Sequence, residues 1–200
     1  MKYRKSNRLL DRDYSKPGAY YVTLCTRNRE NLLSDIINGQ SVLSPYGEIV
    51  EEEWKDLDNR FAHIELDAFT IMPNHLHAIV HFVGAALAAA QTGGTSAGAG
   101  SRSVEPTSGV VPAVWAGASP APTKCLGKII GTFKSLSYRR CRNMFNKKYP
   151  DKRFGRLWQR NYHDRVIRDD IELNEKRDYI RSNPKTWADD ENNISKKSPF

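Results

Sequence analysis

The sequence predicts an α+β fold: a ferredoxin-like antiparallel sheet with helices on one face and a further helix at its C-terminal end. Three observations lead there. Short β-branched or aromatic runs alternate with longer segments of helical periodicity, two of the short runs are separated by a single turn, and the elements read in the order β-α-β-β-α-β-α. Two hundred residues with 39% apolar content suffice to bury one core of ordinary domain size.

Each element has its own local reason. Ala19 to Thr26 follows a Pro-Gly turn signal and is rich in Tyr, Val and Thr, which favour a strand. Ser44 with Pro45 has the form of an N-cap followed by proline at the first helical position. From there Tyr46, Ile49, Val50, Trp54, Leu57 and Phe61 recur at three- and four-residue spacing and predict an amphipathic helix. In the next run Ile64, Leu66 and Ala68 alternate against His63, Glu65 and Asp67, the pattern of a half-buried strand. Met72-Pro73-Asn74 predicts a turn, and His75 to Phe82 a second strand, so the two should pair as an antiparallel hairpin.

The segment 84–123 carries only Arg102 and Glu105 as charges among Ala, Gly, Ser, Thr and Pro, a composition too poor in apolar area to offset the entropy of ordering it. It is expected to be a flexible insertion. Beyond it Leu126, Ile129, Ile130, Phe133, Leu136, Cys141, Met144 and Phe145 keep helical spacing with Lys and Arg between them, which predicts a basic amphipathic helix. Trp158 to Arg168 reads as a strand. Acidic residues at 169–172 and a stop at Asn183-Pro184 bound a last helix from about Asp170 to Ser182. The expected organisation is therefore a basic arm over 1–16, one domain over 17–185 interrupted by 84–123, and a tail over 186–200.

Charge narrows the partner. The net charge is +8, unevenly spread: residues 1–16 carry +4, residues 17–83 carry −6, and residues 124–185 hold 18 Lys or Arg against 7 Asp or Glu. A cationic half opposite an acidic half points to a polyanion, although excess surface Lys and Arg also serves solubility. Three widely spaced cysteines, Cys25, Cys125 and Cys141, fit reduced thiols better than a disulfide or zinc framework. The basic, polar first residues lack the apolar stretch of a secretory signal and no run is long enough to span a bilayer, so a cytoplasmic protein with no membrane partner is expected.

Two features could carry chemistry. On a strand, His75 and His77 project from the same face about 7 Å apart along the chain, where two neutral imidazoles can hold a divalent ion with one or two further ligands. Taken alone, such a pair fits ordinary polar positions on a sheet better than a metal site, and His81, further along that face, reads as a half-buried sheet residue. Tyr179 and Asn183 lie four apart on the last helix and share a face. A phenol is a poor nucleophile unless its anion is stabilised, and Lys176, Arg177 and Arg181 lie nearby. The alternative is simple packing of Tyr179 beside Ile180.

Met72-Pro73-Asn74-His75-Leu76-His77 resembles the histidine motif of the REP-associated tyrosine transposases, relatives of the small tyrosine transposases in the HUH superfamily of single-strand nucleases. Leu157-Trp158-Gln159-Arg160 with Arg168, and then Arg177-Asp178-Tyr179-Ile180-Arg181-Ser182-Asn183-Pro184, resemble the family's other two blocks in the same order. The resemblance covers most of 15–187 outside the insertion. It implies a ferredoxin-like catalytic domain, Mg²⁺ or Mn²⁺, and single-stranded DNA with REP-like hairpins as substrate, and it places the protein with the bacterial nucleoid. Position by position it makes His75, His77 and Asn183 the metal ligands and Tyr179 the nucleophile, forming a 5′-phosphotyrosine. In related transposases a glutamine stands where Asn183 stands, and the 84–123 insertion exceeds the family core.

The basic helix and the segment after it supply the expected DNA contacts: Lys128, Lys134, Arg139, Arg140, Arg142, Arg160, Arg165 and Arg168, with Trp158 either stacked on a base or packed in the core. Tyr162 is a rival nucleophile, ranked second because strand alternation points it away from its neighbour His163. Alternative functions are a non-catalytic nucleic-acid-binding protein derived from a transposase and a histidine-metal phosphodiesterase using water. Whether the protein works as a monomer or a homodimer is left open by the sequence.

Overall fold

The computed structural model describes residues 18–83 and 124–193. The expected basic arm, the 84–123 insertion and residues 194–200 lie outside the described residues. Six strands and four helices are described: β1 Gly18–Cys25, β2 Ser34–Ile37, β3 Gln40–Leu43, α1 Pro45–Lys55, α2 Leu57–Arg60, β4 Ile64–Met72, β5 His75–Phe82, α3 Lys124–Lys148, β6 His163–Val166 and α4 Asp170–Ser182, with short 3₁₀ turns at Arg27–Arg29 and Asn183–Asp189.

The main sheet has the order β4-β5-β1-β6 with all neighbours antiparallel. Leaving aside the separate β2–β3 hairpin, this is the βαββαβ arrangement that the alternation of elements predicts. Placing β1 in the centre explains its composition. It is paired along both edges, and Val22 and Leu24 are fully buried.

Tyr20, Val22, Leu24, Leu76, Ala78 and Val80 face α1 and α3 and form the larger of two apolar clusters. Trp54 of α1 meets Phe133 of α3 edge to face, centroids 5.0 Å apart at 89°, which fixes how these helices cross. Ser44 caps α1 by accepting from the Gly47 N–H at 3.1 Å while donating to the Leu32 carbonyl at 2.6 Å. The opposite sheet face carries α4, through a small cluster of Ala19, Ile79, Ile167 and Ile180, together with the 3₁₀ stretch that follows it. Asp169 caps α4, accepting from the Glu172 N–H at 2.8 Å.

Three details depart from expectation. Strand β4 bulges between Leu66 and Phe69, so that Asp67 and Ala68 together oppose Ile79. The bulge reverses the alternation: Ala68 joins the α4-side cluster instead of standing with Ile64 and Leu66, while Phe69 and Ile71 join the core. Second, the β2–β3 hairpin was not among the expected elements. It closes through Asn38 (φ 51°) and Gly39 (φ 72°), the left-handed pair that a two-residue hairpin turn requires. Third, β6 spans four residues rather than the whole of Trp158 to Arg168. Leu157 and Gln159 instead bond at the C-terminal end of β1, where the Arg27 N–H donates to the Leu157 carbonyl at 2.8 Å and the Gln159 N–H to the Cys25 carbonyl at 3.0 Å. No helix among the described residues is long and apolar enough to cross a membrane.

Candidate functional site

The α4 face of the sheet is where polar side chains collect. His75 is fully buried and His77 nearly so, and the pleat directs both to this face, as expected. Their Nε2 atoms come within 2.9 Å of each other, and each Nδ1 has its own support: Asn74 Oδ1 at 2.9 Å from that of His75, Thr23 Oγ1 at 2.8 Å and Tyr21 Oη at 2.6 Å from that of His77. Two nitrogens bound to one ion at about 2.1 Å stand about 3 Å apart at adjacent coordination positions, so the spacing suits a shared cation.

Burial lowers the basicity of both rings. That of His75 falls to about 3, with the Arg29 charge adding to the effect, and that of His77 falls well below the usual range, with His75 adding to the effect and Asp190 opposing it. Two neutral imidazoles with converging lone-pair nitrogens are what a divalent ion needs.

The C-terminal segment adds a third donor. After α4 the chain turns through the 3₁₀ stretch Asn183–Asp189, which sets Trp187 against His75 at 6.0 Å between centroids and brings Asp190 into the site. One ligand atom each from His75, His77 and Asp190 lie within 4.8 Å of one another. Asn183 is buried. Its Nδ2 donates to Asp190 Oδ2 at 3.3 Å, and its Oδ1 is buried with no hydrogen-bond partner. A buried acceptor without a partner, on a residue bonded to the Asp190 carboxylate, fits a cation that the oxygen could help to hold. Asp190 was not among the residues singled out from the sequence. It lies beyond the motif, in a segment expected to be a tail, and no local pattern marks it.

Tyr179 stands beside this cluster, its ring centroid 5.3 Å from that of His77 and 6.4 Å from that of Tyr21. The residue is 41% exposed, so the phenol is reachable from solvent. Partial burial raises its pKa, as does the Asp190 charge, while Asn183 works in the opposite direction. The Lys176 ammonium lies over both the Tyr179 ring (5.8 Å) and the Tyr21 ring (5.2 Å). Burial also pushes the Tyr21 phenol up. Tyr162 packs against the cluster on the α1/α3 face, with the Lys134 ammonium 5.4 Å from its ring centre.

An ionic cluster ties the helix bearing Tyr179 to β4 and β5. Arg177 donates from Nε and Nη2 to Asp67 Oδ2 at 3.0 and 2.7 Å, and His81 Nε2 lies 2.8 Å from the same oxygen. Burial opposes the Asp67 charge, but Arg177, His81 and the Ala68 N–H outweigh it and hold the carboxyl at about 2.

The expected DNA contacts separate into two groups. Lys128, Arg139, Arg142, Arg160 and Arg168 are exposed. The others have partners inside the protein: Lys134 donates to the Gln159 and Asn161 carbonyls at 3.0 and 3.1 Å, and burial lowers its pKa to about 8. Arg140 pairs with Glu52 and Glu53, and Arg165 with Glu172. Trp158 is packed into the core against Phe133, its indole N–H donating to Ser137 Oγ at 2.9 Å, rather than presented to a base.

Among known proteins, no family model matches the chain. A Haemophilus influenzae protein described only as uncharacterized is 30% identical over 191 residues, spanning 94% of this chain and 92% of that one. Among solved structures, a REP-associated tyrosine transposase bound to a REP hairpin superposes with a TM-score of 0.50 at 14% identity, over 94% of this chain and 74% of the other. The chain therefore belongs to one family with the Haemophilus influenzae protein, and its fold is the one seen in the REP-associated tyrosine transposase.

Proposed function

We propose that this protein is a metal-dependent transposase of the tyrosine type, which cuts and rejoins single-stranded DNA at REP-like hairpins. The observation that carries the reading is the meeting of four groups on one sheet face: the paired Nε2 atoms of His75 and His77, the Asp190 carboxylate, and the solvent-reachable Tyr179 ring 5.3 Å from His77. A core packing role for Tyr179 would not require polar neighbours or 41% exposure. The shared fold supports the reading, as do the three ordered motifs.

On this reading His75, His77 and Asp190 hold Mg²⁺ or Mn²⁺, and the orphaned Asn183 oxygen is placed to join them. The bound ion supplies Lewis-acid polarisation of the scissile phosphate and offsets the charge that develops on it. Tyr179 attacks phosphorus. The new bond joins the phenolic oxygen to phosphorus, the P–O3′ bond breaks, and the leaving strand departs with a 3′-hydroxyl while the 5′-phosphate stays on the tyrosine. Lys176, above the Tyr179 ring, lowers the cost of phenolate character during attack. No water or ATP enters, since attack by another 3′-hydroxyl returns the bond and releases the enzyme. Exposed Lys128, Arg139, Arg142, Arg160 and Arg168 contribute phosphate contacts.

The test is incubation with hairpin oligonucleotides and Mn²⁺, scored for a covalent complex on a denaturing gel. Wild-type protein forms the adduct, and Tyr179→Phe loses it while still binding the oligonucleotide. An undiminished adduct from Tyr179→Phe would refute the assignment.

A further inference from the structure

We infer that Asn74 is a positioning residue that fixes the tautomer of His75, holding its proton on Nδ1 so that the Nε2 lone pair stands out toward the cation site. The inference rests on the proposed metal reading and concerns how the protein prepares that site.

Asn74 is fully buried in the turn between β4 and β5. Its amide nitrogen donates to two backbone carbonyls, those of Arg29 at 3.1 Å and Asn192 at 2.9 Å. A carbonyl can only accept, so the –NH₂ end must face that side and use both of its hydrogens there. Turning the amide over would set Oδ1 against two carbonyl oxygens and lose both bonds in a buried position. The orientation is therefore determined, and Oδ1 faces His75 Nδ1 at 2.9 Å. An amide oxygen can only accept, so Nδ1 must carry the hydrogen. A neutral imidazole has one N–H, and Nε2 is left bare, 2.9 Å from His77 Nε2.

His77 is held differently. Its Nδ1 lies near two hydroxyls, Thr23 Oγ1 and Tyr21 Oη, and a hydroxyl can either donate or accept. Without a cation, His77 Nε2–H donates to the bare Nε2 of His75. With a cation, the hydrogen leaves Nε2 and one is gained at Nδ1, where a hydroxyl rotates to accept it, so the ring stays neutral and the count of protons is unchanged. One ligand is locked and its neighbour can adapt, which lets the site close its own hydrogen bond when empty and open it for metal.

Asn74 also ties three segments together: the turn itself, the 27–30 loop and the stretch of chain carrying Asp190, whose carboxylate accepts from the Asn192 N–H at 2.6 Å. The same amide thus sets the tautomer of one ligand and anchors the segment that presents another. Outer partners of this kind typically contribute about 10–100-fold to metal affinity.

The experiment uses the full chain with ¹⁵N-labelled histidine. Nitrogen chemical shifts of the metal-free protein should show His75 protonated at Nδ1 and His77 at Nε2, and Mg²⁺ should move the His77 proton to Nδ1 while leaving His75 unchanged. By calorimetry, Asn74→Leu should weaken Mn²⁺ binding by about 10–100-fold. Asn74→Asp keeps an acceptor facing His75 but loses both donors to the Arg29 and Asn192 carbonyls, so it should keep the His75 proton on Nδ1 in the nitrogen spectrum while binding Mn²⁺ more weakly than wild type. A wild-type His75 protonated at Nε2 overturns the inference even if neither variant folds, as does unchanged Mn²⁺ affinity in a folded Asn74→Leu protein. A wild-type protein with the stated tautomers that binds neither Mn²⁺ nor Mg²⁺ overturns the metal reading instead.

Discussion

Replacing Asp67 by Asn should loosen the helix that carries Tyr179 while leaving the rest of the fold intact. The α4 helix has a small apolar seam, in which Ile180 is its only buried aliphatic side chain, and two ionic ties to the sheet, Arg177 to Asp67 of β4 and, in its first turn, Glu172 to Arg165 of β6. Asp67 receives two guanidinium N–H groups and the His81 ring on one oxygen, with side chains 31% and 16% exposed for Arg177 and Asp67. Charge-assisted bonds at that exposure, discounted for solvent screening, contribute about 2 kcal/mol together. That corresponds to roughly 30-fold in the equilibrium for local opening of α4. Native-state hydrogen exchange resolved by peptide should therefore show residues 170–182 exchanging about 30-fold faster in Asp67→Asn, with residues 75–82 unchanged. Equal acceleration of both peptides, or of neither, would show that the pair is not what fastens α4. Acid should do the same to wild-type protein. Because the folded carboxyl is held at about 2 against an ordinary 3.8, its contribution is complete above about pH 4 and is lost as pH falls through that interval.

Three further outcomes rest on the same geometry. Gly47→Ala, a change that helix propensity alone would favour, should destabilise by about 1–3 kcal/mol in urea unfolding, because a Cβ there would lie 2.0 Å from the Leu33 carbonyl oxygen, which is backbone and cannot yield cheaply. Arg139→Ala should reduce the salt dependence of oligonucleotide binding by about one phosphate contact, whereas Arg140→Ala should mainly lower stability, since it removes the hydrogen-bonded partner of the buried Glu53 and leaves it Arg60 at 3.7 Å; filter binding across a salt series with parallel melts separates the two. Asp190→Asn should weaken Mn²⁺ binding more than Asn183→Ala does, because a carboxylate contributes charge as well as an oxygen, and calorimetry showing the reverse order would make Asn183 the principal third ligand.

How much of this was legible in the sequence depends on how local each cause is. Helix α4 was expected over 170–182 and is found there, since Asp169, the acidic first turn and Pro184 all act within a few residues. The common face of His75 and His77 comes from strand period alone. The β2–β3 hairpin carried a local signal too, Asn38-Gly39 between apolar runs, but its four-residue strands are too short for alternation to reveal. The bulge at Asp67 has no signature of its own. A two-residue period read across it assigns Ala68 to the wrong face, and with it goes the reason for Asp67 to meet Arg177, 110 positions away. The partners of Arg140 and Lys134 also lie far off in sequence, so a row of basic residues could not be divided into those that face solvent and those already paired. Asp190 reaches the histidines only because the chain folds back through a 3₁₀ stretch after a proline that ended the periodic pattern.

The two halves of the site are held with very different firmness, and on the proposed reading the difference is useful. His75 and His77 sit on a central strand paired on both sides, with each Nδ1 bonded, so the ligand nitrogens are preorganised to within the spacing an ion needs. Tyr179 rides on a helix fastened by one small seam and two partly exposed ion pairs. A phosphotyrosine step requires the nucleophile to approach phosphorus in line and then to carry a covalently attached strand while a second strand arrives. A rigid metal cradle opposite a lightly fastened helix provides for both, because the charge-stabilising groups stay fixed where the reaction develops charge and the moving part is the one that must track the DNA.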